Sequence, residues 1–208
     1  MEFLTQFWHS GFNLDAATNS FSSALGFSTL LVTLAEIGDK TQLLALVLIA
    51  RYRQPWPIIA GILVATLLNH ALAAWLGSFA ATWLNSAWLT WVLAAAFILM
   101  GGWILIPDSL DENLDQQARR YSSAFVATLV LFFLAEMGDK TQIATVTLGA
   151  HFSSLSAVII GTTLGMLVAN VPVIWLGKLN LSRLPIRFIH IITAAIFILT
   201  GLAIALFG

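Results

Sequence analysis

The residues with chemistry to offer fall in one short run, Leu34-Ala35-Glu36-Ile37-Gly38-Asp39-Lys40-Thr41-Gln42, which returns as Leu134-Ala135-Glu136-Met137-Gly138-Asp139-Lys140-Thr141-Gln142. Apolar residues surround both copies. A carboxylate placed in the hydrocarbon of a membrane costs at least a few kcal/mol even on the gentlest insertion scales. Four carboxylates there, with two lysines, need something to reward that placement. Glu36, Asp39, Glu136 and Asp139 offer charged oxygens, and Thr41, Thr141, Gln42 and Gln142 add neutral ones. Lys40 and Lys140 act as charge balancers and leave the group at a formal −2, the complement of one divalent cation. Oxygen ligands in a chain without cysteine favour Mn2+, Ca2+ or Mg2+ over copper or thiolate-bound zinc. Asn69, His70 and Asn170 are accessory candidates. His70 aligns with Asn170 across the repeat, and an imidazole suits Mn2+ better than Ca2+.

On a continuous α-helix Glu36 and Asp39 lie roughly 60° apart on one face, with Lys40 between them in angle. Gly38 and Gly138 weaken that continuity, since glycine inside a helix costs about 1 kcal/mol relative to alanine. A break there would free the carbonyls of Leu34 and Ala35, which are typical cation ligands in interrupted transporter helices. The plain structural alternative is a pair of buried Glu-Lys salt bridges locking the two copies together. Such bridges are weak stabilisers, because desolvation roughly cancels their attraction.

The elements that position these residues are apolar helices. The chain has 208 residues, 59% hydrophobic and 9% charged, with a net charge of −1, and its mean hydropathy is +0.91. That composition excludes an ordinary water-soluble domain and gives no electrostatic case for a nucleic-acid partner. Hydrophobic runs bounded by polar punctuation predict six membrane spans, at residues 21–50, 56–82, 87–106, 121–149, 155–177 and 188–207. Residues 1–20, with Phe3, Leu4, Phe7, Trp8 and Phe12 at helical spacing and Glu2 and Asp15 in place of basic residues, read as an interfacial segment without the basic start of a signal peptide. Residues 107–120 form an acidic linker whose Asp108, Asp111, Glu112 and Asp115 read as a solvated turn, since their spacing is not that of an EF-hand.

Arg51, Arg53, Arg119, Arg120, Lys178, Arg183 and Arg187 all fall in the first, third and fifth expected loops. Cytoplasmic loops hold such an excess, so both termini are expected outside the cytoplasm. The repeat keeps a constant register of one hundred residues: Gly61 matches Gly161, Trp75-Leu76-Gly77 matches Trp175-Leu176-Gly177, and Phe97-Ile98-Leu99 matches Phe197-Ile198-Leu199. Three spans per copy is an odd number, so the second copy, residues 121–208, is expected inverted relative to the first, residues 21–106. The expected class is therefore an all-α integral membrane protein of six transmembrane helices in two inverted-topology three-helix repeats. The site of such transporters lies near the midplane between the repeats.

Glu-apolar-Gly-Asp-Lys-Thr, present twice in a chain of this length, resembles the signature of the MneA-type bacterial manganese exporters and their eukaryotic relatives, the Golgi manganese and calcium transporters. The resemblance covers nearly the whole chain. It implies cation/proton antiport, with Glu36, Asp39, Glu136 and Asp139 at the metal-binding positions, Mn2+ or Ca2+ as transported substrate rather than cofactor, and residence in a bacterial inner membrane. Partners would be the ion, protons and the lipid bilayer; an oligomer is compatible with all of this. Ca2+/H+ antiport on the same architecture is the nearest alternative. An intramembrane aspartyl protease using Asp39 and Asp139 is a rival from another class, although such a dyad needs neither the glutamates nor the lysines. A passive cation channel is a third, separable by its lack of proton coupling.

Overall fold

A computed structural model describes residues 21–106, 114–176 and 186–207. The interfacial reading of residues 1–20, the acidic residues Asp108, Asp111 and Glu112 with the side chain of Asp115, and Lys178 and Arg183 lie outside what it describes. Every described element is helical: α1 (Phe21–Glu36), α2 (Lys40–Tyr52), α3 (Pro55–Ala81), α4 (Ser86–Ile104), α5 (Leu114–Ala118), α6 (Ala124–Glu136), α7 (Lys140–His151), α8 (Leu155–Leu176) and α9 (Ile186–Phe207). The one-hundred-residue offset pairs α1 with α6, α2 with α7, α3 with α8 and α4 with α9. The short α5 falls within the linker read as a turn.

The spans expected at 21–50 and 121–149 are each split into two helices, at the glycines where the sequence weakens helical continuity, and the shared helical face expected for Glu36 and Asp39 is thereby corrected. Gly38 and Gly138 take positive φ values of 85° and 76°, a region that side chains with a Cβ avoid and glycine enters freely. The chain stops at Glu36 and Glu136 and restarts at Lys40 and Lys140, with Asp39 and Asp139 as the extended N-cap residues. At the first break α1 and α2 are bent by 73°. Glu36 and Asp39 therefore do not share a face of one helix. They sit at the end of one helix and the entry to the next.

Four helices, α3, α4, α8 and α9, are long and apolar enough to cross a membrane, and α1 with α2 makes a fifth if the bent pair is one span. In the place of the remaining expected span, α6 is apolar but only 13 residues long. The surface carries large apolar side chains, including Leu99, Trp56, Trp88 and Leu206, while Glu36, Asp39, Glu136 and Lys140 are buried. That inversion of the soluble pattern suits lipid as the surrounding solvent.

The main seams are α4 on α9, α1 on α8, and α3 on both α6 and α7. Glycines permit the closest of them. A Cβ at Gly101 would lie 2.8 Å from the Ala194 carbonyl oxygen, and one at Gly201 would lie 2.7 Å from that of Ala94. Between α3 and α7 the approach is closer still. A Cβ at Gly77 would collide with the Val146 carbonyl, and one at Gly149 with that of Ala74. The counterpart seam of α8 on α2 is much sparser, so the two halves are not packed identically.

Buried apolar side chains form two clusters among the described residues. One joins Ala24, Leu31, Leu148, Phe152 and Val158, and the other joins Leu44, Leu48, Ile58, Ala124 and Ile174. At the second cluster, the Tyr52 hydroxyl lies 2.7 Å from the carbonyls of both Ala118 and Tyr121. This ties the first loop to the third and places Arg51, Arg53, Arg119 and Arg120 at one end of the bundle.

Candidate metal centre

Each break sets a buried Glu at the end of one helix and a buried Asp at the entry to the next. Glu36 and Glu136 close α1 and α6, where helix carbonyl ends favour a cation, and α2 and α7 begin beside them with the N–H ends that favour an anion. Asp39 meets that second requirement, its carboxylate accepting from the Thr41 backbone N–H at 3.5 Å. Carboxylate oxygens of Glu36, Asp39 and Glu136 lie within 4.8 Å of one another, all three residues buried. Like charges so close require cations or protons among them.

Two cations are supplied by the chain itself, and each crosses between the halves. Lys140 Nζ lies 2.7 Å from Asp39 Oδ1, and Lys40 Nζ lies 2.9 Å from Asp139 Oδ1. The pairing is thus Lys with Asp of the other copy, not the Glu-Lys staple considered from the sequence. Asp39 and Asp139 are each held by a lysine, an arrangement unlike the shared-proton pair of an aspartyl protease. The two ion pairs differ in depth, with side-chain exposures of 1% and 0% for Lys140–Asp39 but 30% and 5% for Lys40–Asp139. Removing one partner of a buried pair typically costs about 3–5 kcal/mol, because the other charge is left behind. Lys140→Met should therefore lower the melting temperature of the purified protein clearly more than Lys40→Met does, and equal effects would contradict this difference in depth.

The neutral groups divide by task. The Oε1 atoms of Gln42 and Gln142 accept from the backbone N–H of Gly38 and Gly138 at 3.0 and 2.6 Å, closing the two breaks. Their Nε2 atoms reach across, Gln42 to the Ala169 carbonyl at 2.9 Å and Gln142 to Asn69 Oδ1 at 3.5 Å. Thr141 donates its hydroxyl to Glu136 Oε2 at 2.6 Å, and Asn170 Nδ2 donates to Glu36 Oε1 at 3.1 Å. Asn69 Nδ2 donates to the Phe133 carbonyl at 2.9 Å. Glu36 Oε2, Glu136 Oε1, Asp139 Oδ2, Thr41 Oγ1 and Asn170 Oδ1 are buried with no hydrogen-bond partner among the described residues. Buried oxygens are rarely left so, and carboxylate, hydroxyl and amide oxygens are the donor types a hard cation accepts.

Two further residues brace the first break without any signal in the motif. His190 Nε2 donates to the Ile37 carbonyl at 2.9 Å, and the Thr193 hydroxyl lies 3.3 Å from the Leu34 carbonyl. The Leu34 carbonyl, expected to be available to an ion, is engaged by Thr193. The aligned positions of the first half are Thr90 and Leu93, so the repeat gave no pointer to them.

The family model described as "Divalent cation/proton antiporter GDT1" matches residues 24–112 and 124–208, once for each half of the site just described. The chain belongs to the GDT1 family. It is 54% identical to a protein of Vibrio cholerae serotype O1 provisionally named a manganese exporter, over 91% of this chain and 94% of the relative. Similarity to GDT1-like protein sll0615 of Synechocystis is 27% identity over 82% of this chain and 90% of that one. GDT1-like protein 3 of Arabidopsis thaliana is 23% identical over 89% of this chain and 71% of its own length. No solved structure matches. This GDT1 member is accordingly a membrane transporter from a cation/proton antiporter family, and its two matched segments each contain one copy of the Glu-x-Gly-Asp-Lys-Thr run.

Proposed function

We propose that the protein exports Mn2+ from the bacterial cytoplasm across the inner membrane in exchange for protons. The convergence of Glu36, Asp39 and Glu136 within 4.8 Å carries this reading, supported by the family and by the name given to the Vibrio cholerae relative. In it, Glu36, Asp39, Glu136 and Asp139 hold the ion, Thr41 and Thr141 add hydroxyl oxygens, and Gln42 and Gln142 keep the helix breaks closed beside it. The architecture is six crossings in two inverted halves, each broken helix pair counting as one, with both termini extracytoplasmic. The one-sided arginines support that orientation.

In the exchange cycle, the ion displaces protons from the carboxylates on the cytoplasmic side, and one half rocks against the other to open the site outward. External protons then compete for the same oxygens and return inward with them. Lys40 and Lys140 keep the emptied site near neutrality during that return. The test is the full chain reconstituted in liposomes with an imposed pH gradient: Mn2+ should accumulate against its own gradient, and an uncoupler should stop it. Flux that ignores the uncoupler and only runs downhill would mean a channel instead.

A further inference from the structure

His70 is completely buried on α3, yet neither of its ring nitrogens has a hydrogen-bond partner among the described residues. One turn earlier on the same face, the buried Thr66 hydroxyl is also without one. An imidazole carries a donor or a bare lone pair on each nitrogen, and burying both unused is rare enough to need a reason.

The repeat locates what this ring faces. Gln42 reaches residue 169 and Gln142 reaches residue 69, so the halves meet in the same register at this level. The next residue is Asn170 in one half and His70 in the other. Asn170 donates to a carboxylate oxygen of Glu36. The equivalent glutamate, Glu136, has one oxygen taken by Thr141 and the other unpartnered.

Helical phase on α3 agrees. Gly77, seven residues after His70 and so on the same face, lies against Val146 of α7. Gln142 beside Asn69 and Val146 beside Gly77 show the two helices running the same way. The His70 face therefore looks onto the start of α7, where Asp139 and Lys140 stand.

We infer that His70 is the specificity-determining residue of the centre, an imidazole on the Glu136 side that favours a transition-series divalent ion such as Mn2+ over Ca2+. The chemistry is the ligand preference of the ions. Ca2+ takes oxygen almost exclusively, whereas first-row transition ions accept imidazole nitrogen. The three groups whose ligand atoms lie within 4.8 Å of one another are all carboxylates, an oxygen set that alone would serve either ion. The inference rests on the transport reading above and sharpens its substrate.

The experiment is proton-driven uptake of Mn2+ and of Ca2+, separately and in competition, by the full chain in liposomes. Wild type is compared with His70→Asn, which copies the residue at position 170, and with His70→Gln as a second variant should the first fail to fold. The expected result is a fall of at least ~10-fold in the Mn2+:Ca2+ rate ratio, with Ca2+ transport retained or raised. An unchanged ratio, or a parallel loss of both ions in both variants, would overturn the assignment while leaving the antiporter reading standing. Wild-type protein that carries neither ion would overturn both.

Discussion

Glu136→Gln should reduce proton-driven Mn2+ flux at least ~100-fold, about 3 kcal/mol in the barrier or in ion binding, with normal amounts of protein in the membrane. The amide keeps the volume of the side chain and retains an oxygen to accept from Thr141, whose hydroxyl is 2.6 Å from the carboxylate. What it loses is the charge, and with it the capacity to alternate between a proton and a cation. Glu36→Gln should behave alike, its oxygen still facing Asn170 at 3.1 Å. Uptake of the radioactive ion into liposomes measures the effect, with gel filtration confirming the fold. Wild-type flux in both variants would remove the carboxylates from the transport step.

The second large effect concerns packing rather than charge. Gly77→Val should remove most folded protein or lower stability by about 3 kcal/mol or more, above the usual range for an overfilled core. The added Cβ meets the backbone carbonyl of Val146, which no rotamer change can move aside, and Gly149→Val meets that of Ala74 in the same way. Gly26→Ala and Gly102→Ala are the controls, since a Cβ at either position has nothing within 4 Å among the described residues. Thermal unfolding in detergent, followed by tryptophan fluorescence, should separate the two sets. Equal stability across all four would mean that α3 and α7 are not closely joined in the folded protein.

Much of this arrangement is legible in the residues, because the motif and the membrane each impose a strong pattern. The duplicated run, the apolar stretches that become α3, α4, α8 and α9, and the all-helical class follow from composition and periodicity. The glycine break was legible as a weakness at Gly38 and Gly138, but not as a full stop between Glu36 and Asp39. Helical periodicity assumes continuity, and only the backbone at positive φ shows that the two carboxylates occupy different helices. The crossed Lys-Asp pairing was not legible either. Sequence spacing reports neighbours along one helix, whereas Lys140 finds Asp39 through the way two broken helices abut. His190 and Thr193 brace the first break from α9, a helix whose contact with α1 leaves no mark in the repeat.

The exchange of lysines between the halves bears on how the protein is made. Asp39 and Lys40 are synthesised about one hundred residues ahead of their partners Lys140 and Asp139, so during synthesis the chain holds both charges before those partners exist. An unescorted charge is expensive in hydrocarbon, and the nascent first half is therefore poorly suited to settle in the bilayer by itself. The crossed pairs thus make the joining of the two halves an expected step of biogenesis, the point at which both charges gain their partners.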